Sequence, residues 1–225
     1  MAFLLSFFNA RLGWWLPNPR NTGGILSMLS GPTPILGLPY LLQELFGMVS
    51  DDAPFVNVSD GGQFENMGLY ELVRRRCLNI LICDAEEDSN FVFDGLGMAV
   101  RKCRLDFAVE IKIPTLGQIL PAANGFSPLA YAEGTISYPN PTHPHNPIQG
   151  KILYIKSTLT GAEPVDLRNY KREHPAFPSD STVNQWFTES QFESYRRLGQ
   201  FIGEQRSVSN WLKALDKPKE SGAGV

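Results

Sequence analysis

The stretch from Val56 to Asp88, VNVSDGGQFENMGLYELVRRRCLNILICDAEED, constrains this chain more than any other. Phe55, Val56 and Val58 form a short apolar run, which predicts a strand that delivers Asp60 into a turn at Gly61-Gly62. Paired glycines admit positive φ and let another group approach the backbone closely. An aspartate held at a strand end before such a pair can face a crevice rather than a core. From Glu65 the periodicity turns helical: Leu69, Leu72, Val73 and Cys77 fall at i, i+3, i+4 and i+8 on one stripe. Arg74, Arg75 and Arg76 close the last turn, where cations complement the helix dipole. Leu78 to Cys83 is apolar apart from one Asn, the composition of a buried parallel strand. Two strands joined by a helix predict a right-handed crossover, and with it an α/β fold.

Beyond that unit the signals are local. Leu96, Val100, Cys103 and Phe107 predict an amphipathic helix. Val109, Ile111 and Ile113 alternate with Glu110 and Lys112, a half-buried strand that would complete a second βαβ unit. Pro114 to Pro128 reads as loop. Gly134–Tyr138 and Lys151–Lys156 predict two strands, joined by a Pro-rich loop whose His143 and His145 are expected at the surface, as is His174. From Ser181 a helix is expected, capped by Ser181 or Thr182. Its stripe is Phe187, Gln191, Tyr195, Leu198 and Ile202, broadened by Trp186, Phe192 and Phe201. Asp84, Glu86, Asp88 and Asn90 imitate the start of a calcium loop, but Ser89 stands where glycine is needed and Gly95 where glutamate is needed. These acids are expected in a solvated loop, and no metal or cofactor site is expected. They follow the carboxyl end of a strand, where α/β sheets bind ligands.

Composition narrows the class. At 225 residues, 43% apolar and 19% charged, the chain can build a real core. A net charge of −3 gives a nucleic-acid partner no electrostatic footing. Cys77, Cys83 and Cys103 sit in apolar patterns without paired metal spacing, so buried free thiols in a reducing compartment are expected. Met1 to Leu16 is apolar and aromatic, lacks the basic start and cleavage site of a signal peptide, and is shorter than the ~20 residues that span a bilayer. It reads either as a core or domain-contact helix or as a lipid-facing surface. Asn18 to Pro39 reads as a Gly- and Pro-rich loop, and Pro39 to Met48 as a helix. Residues 1–50 thus form an N-terminal segment, 51–215 an α/β portion, and 216–225 a polar tail expected to be disordered. The expected location is cytoplasmic or at a membrane periphery.

Asp60-Gly61-Gly62, then Glu65-Asn66-x-Gly68-Leu69-Tyr70-Glu71-Leu72 and Arg74-Arg75-Arg76-Cys77, resemble the aspartate segment of bacterial patatin-like phospholipases. So do Asn9 to Pro17, Ser181-Thr182, Gln185-Trp186-Phe187 and Glu189 to Tyr195. The resemblance implies a three-layer α/β/α sandwich, here incomplete, and a Ser-Asp dyad in which Asp60 is the aspartate. Gly61 and Gly62 would keep space for the serine, and Asn66 would orient the turn. The substrate would be a lipid or a small ester, with a membrane surface as a further partner. The segment 39–48 would act as a lid or substrate wall.

The chain also departs from that pattern. It contains no G-x-S-x-G; Ser127, in Gly125-Phe126-Ser127-Pro128-Leu129, lacks the second glycine and a leading apolar strand. Gln63 and Ser179 stand where relatives carry His. The expectation is therefore the C-terminal part of a lipid acyl hydrolase, inactive until joined by a serine-bearing upstream segment. One alternative is a catalytically inactive relative that binds lipid or a protein partner. Another is a different hydrolase using Ser127 or a cysteine as nucleophile.

Overall fold

The computed structural model describes residues 13–21, 42–43, 46–48, 50, 52–59, 61–181 and 186–215. The chain divides into two compact units, residues 1–66 and 67–225.

In the first unit, β1 (Gly13–Pro17) pairs antiparallel with β2 (Phe55–Ser59), Trp15 opposite Asn57 and Pro17 opposite Phe55. Trp15 and Phe55 are buried. Asn18 fastens the open end: its backbone N–H donates to the Pro54 carbonyl at 2.9 Å, and its side-chain amide to the Ala53 carbonyl at 2.9 Å. The end of the apolar N-terminal run is thus a strand, not a helix, in keeping with the strand preference of aromatic residues. Residues 1–12, most of the Gly- and Pro-rich loop and the tail from 216 lie outside the described residues. Of the helix expected over 39–48, Leu42 and Gln43 are helical, while Phe46 and Met48 are exposed.

The second unit is a mixed α/β body. Strands β3 (Asn79–Asp84), β4 (Glu110–Lys112), β5 (Tyr131–Tyr138) and β6 (Ile148–Lys156) form one sheet in the order β3-β6-β5-β4. β3 runs parallel to β6, and the other neighbours are antiparallel. β4 therefore points the same way as β3 from the opposite edge. Helix α2 (Asp94–Phe107) connects them across two intervening strands.

The first crossover expected from sequence is not formed within one sheet. β2 pairs with β1, whereas β3 pairs with β6. Helix α1 between them is short, Leu69–Arg74; Gly68 precedes it at φ 69, and Arg76, at φ 57, ends the turn. Glu71 bridges Arg74 and Arg75, whose guanidiniums hold its carboxyl down to about 2.

One sheet face, with Ile80, Ile82, Ile136, Ile152 and Tyr154, packs on Leu69 and Val73 of α1 and on Leu96, Ala99 and Cys103 of α2. Each buried Ile, Leu and Val among these contributes about 1.5–3 kcal/mol through removal of apolar surface from water. Ile155 points the other way and joins a second cluster. That cluster is built by Leu167 and Tyr170 of α3 (Val165–Glu173), Phe177, and Leu198 and Ile202 of α4 (Glu189–Glu204). Helix α5 (Arg206–Leu215) follows and buries Val208.

Several expectations shift for physical reasons. β3 is not buried on both faces; Asn79, Leu81 and Cys83 point to the face opposite Ile80, Ile82 and Asp84 and are exposed. Helix α4 begins later than expected: Thr188 caps it, its hydroxyl accepting from the Gln191 N–H at 3.2 Å. Trp186 and Phe187 precede the helix and are exposed, and Phe192, inside it, faces solvent rather than joining the buried stripe. Among the described residues no helix is long and apolar enough to cross a membrane.

Candidate functional site

β2 ends at Ser59, and a 3-10 turn over Gly61–Gln63 begins two residues later, so the backbone on both sides of Asp60 is ordered by pairing or turn formation. Asp60 itself lies outside the described residues. The turn is closed by the Phe64 and Glu65 N–H groups, which donate to the Gly61 carbonyl at 2.9 and 2.8 Å. Gly61 and Gly62 are exposed. Gly61 does not take positive φ, so its value is not conformational freedom; a Cβ added there would meet no heavy atom within 4 Å. Space beside this turn is what the dyad reading requires of it. Asn66, the last residue of the first unit, is exposed.

The acids after β3 behave differently from the expected solvated loop. Asp84 faces inward at the last position of β3, in register with Lys156 at the last position of β6. The Lys156 ammonium is 1% exposed and donates to both Asp84 carboxylate oxygens at 3.1 Å and to the Glu86 carbonyl at 3.2 Å. Those three bonds use its donors. Asp88 lies 3.9 Å from the same ammonium, and its own oxygens accept from the N–H groups of Val92 and Phe93 at 2.8 and 2.9 Å. The Tyr154 hydroxyl also donates to Asp84, and the Glu86 N–H donates to it at 2.8 Å. Burial, and then this bond to a carboxylate, push the Tyr154 phenol far above its ordinary range. A cation with its donors consumed by a buried carboxylate holds structure together; it pins the turn leaving β3. The signal for it was present in sequence. Ile80, Ile82 and Asp84, and Ile152, Tyr154 and Lys156, each continue one inward-facing alternation into a charge.

The other candidates separate clearly. Ser127 is 2% exposed; its N–H donates to the Leu159 carbonyl at 2.8 Å, and its hydroxyl shares a hydrogen bond with that of Thr158 at 2.8 Å. It has neither access nor a base beside it. The three cysteines are free thiols, but only Cys103 is buried; Cys77 is half-buried and Cys83 exposed. His143 and His145 are exposed in the β5–β6 loop, and His174 stacks on Tyr170 with ring centroids 4.2 Å apart. No group of three or more His, Cys, Asp or Glu side chains among the described residues could hold a metal ion. Compared with protein-family models, with curated proteins and with solved structures, the chain shows no match.

Proposed function

We propose that this chain supplies the aspartate of a patatin-like Ser-Asp acyl hydrolase, in which the nucleophilic serine is carried by another segment. The observation that carries the reading is Asp60 itself: it stands between the end of β2 and an exposed Gly-Gly turn, inside the run that resembles the patatin-like aspartate segment. Open space beside Gly61 supports room for a partner hydroxyl. On this reading the complete fold is a three-layer α/β/α sandwich. The serine oxygen attacks the ester carbonyl carbon while Asp60 takes the hydroxyl proton, with no histidine between them. The proton then passes to the departing alkoxide, and water hydrolyses the acyl-enzyme. Asp60 must be raised above the ordinary carboxylate range of ~4 or aligned closely with the serine to serve as base. Backbone amides stabilise the oxyanion. The substrate is a lipid or small ester, met in the cytoplasm or at a membrane surface.

The absence of G-x-S-x-G and the sealed position of Ser127 favour a second reading, a non-catalytic lipid- or partner-binding relative. One experiment separates the two. p-Nitrophenyl butyrate hydrolysis is measured for the chain alone and for the chain supplied with a patatin-like serine-bearing segment. The proposal predicts background rates for the first and turnover for the second that Asp60→Ala removes. Failure of the joined protein, when folded, to turn over any ester favours the binding reading.

A further inference from the structure

The parallel strands β3 and β6 release their chains on the same side of the sheet, and the segments leaving them help to enclose a cleft of about 730 Å³. Small-molecule sites occupy roughly 300–1,000 Å³ and favour the carboxyl ends of parallel strands. Glu87 comes from the segment after β3, and Ser157 and Leu159 from the segment after β6. Phe91, Phe126 and Lys171 contribute two half-buried rings and one ammonium, with the buried Phe177 behind them.

Lys171 sits in the last turn of α3, where its ammonium donates to the Pro175 and Phe177 carbonyls at 2.7 and 2.6 Å. Two of its three donors are thus aimed by the turn that follows the helix. Among the described residues it forms no ion pair. Asp180, the acid that acts on it, accepts from the Tyr195 hydroxyl at 2.6 Å. Burial pulls the Lys171 pKa below its ordinary value, with the Asp180 charge opposing the shift. The contrast with Lys156, whose donors are consumed by a carboxylate, is direct.

We propose that this cleft binds an amphiphilic monocarboxylate, its anion on the third donor of Lys171 and its hydrocarbon against Phe91 and Phe126. A charged donor suits a carboxylate, and the apolar rings suit a hydrocarbon tail. Glu87 shares the lining, so a doubly charged head group meets repulsion that a monoanion meets less. The cleft lies wholly within residues 67–225, and the inference is independent of Asp60.

The test is an NMR titration of the full chain with octanoate, 1-octanol and octyl phosphate. Octanoate is expected to bind saturably, shifting amides around Phe126, Ser157 and Lys171, and about tenfold or more tighter than 1-octanol, as befits a charged hydrogen bond. Lys171→Met should remove that preference while leaving octanol binding unchanged, and Lys171→Arg should keep it. Equal affinity for octanoate and octanol, or octanoate binding untouched in folded Lys171→Met, overturns the assignment; tighter binding of octyl phosphate overturns the monocarboxylate class. Should Lys171→Met fail to fold, Ser89→Trp decides the matter. Ser89 is an exposed lining residue, and the indole obstructs the cleft with the lysine intact. Loss of octanoate binding supports the site, and retained binding contradicts it.

Discussion

Lys156 and Asp84 show how a single buried pair fastens the carboxyl ends of β3 and β6. Both charges are removed from water, so deleting one leaves the other without compensation. Lys156→Met is expected to cost about 3–5 kcal/mol in urea unfolding, while the double variant Asp84→Leu/Lys156→Met recovers most of it. A single-variant cost below about 1 kcal/mol would mean that the pair is already hydrated. Tyr138 gives a second prediction. Its hydroxyl donates to the Cys77 carbonyl at 2.6 Å, and burial pushes its phenol up to about 12. The unfolded chain releases that proton near ~10, so the stabilisation is complete below pH ~10 and fades as pH rises toward 12. The urea midpoint should fall over that interval, and Tyr138→Phe should flatten the fall; equal slopes for the two proteins would count against it. The alternation of each strand marks Asp84 and Lys156 as inward-facing, but not that they pair. Asp84 and Lys156 are 72 residues apart, and a non-local pair is visible only once strand register is known.

At the scale of elements, the segments with strong local periodicity were readable. Helix α2, strand β4 and the β5–β6 hairpin all formed where alternation or 3.6-residue spacing called for them. What failed was partner choice and termination. β2 carries too few residues to encode which strand it joins, and the Arg74–Arg76 run does not reveal that Arg76 turns left-handed. Glycines make the packing of these elements testable. A Cβ at Gly150 of β6 would lie 2.7 Å from Ile136 Cγ2 and 2.7 Å from the Leu78 carbonyl. Gly150→Ala is therefore expected to cost about 1–3 kcal/mol through overpacking. Gly199 lies within α4 with no heavy atom within 4 Å of an added Cβ. Gly199→Ala should stabilise by about 0.5–1 kcal/mol, as helix propensity dictates. Chemical denaturation of both variants checks the pair; the same sign for the two would refute this account of close approach.

Across the whole molecule, the two edges of the four-stranded sheet differ in how they meet solvent. β4 is short and shows Glu110 and Lys112, charges that blunt an edge. β3 is longer and exposes Leu81 and Cys83 without charge. It is the edge expected to recruit another strand, so Leu81→Lys should lower self-association in light scattering at micromolar concentration. A parent chain that stays monomeric under those conditions would show the edge to be protected. The α/β class followed from pattern, but the separate β1–β2 pair did not, because its apolar, aromatic run is compatible with either helix or strand. The candidate site was legible only as far as its turn: Gly61 and Gly62 are exposed with space beside Gly61, while the carboxylate's own role rests on chemistry. The most direct test of the proposal is therefore kcat/KM for an ester in the chain joined to a patatin-like serine-bearing segment, comparing Asp60 with the isosteric Asp60→Asn. Loss of about 10³-fold or more, with folding unchanged, is the result predicted for a base that contacts the nucleophile. Activity within about threefold of the parent would contradict it.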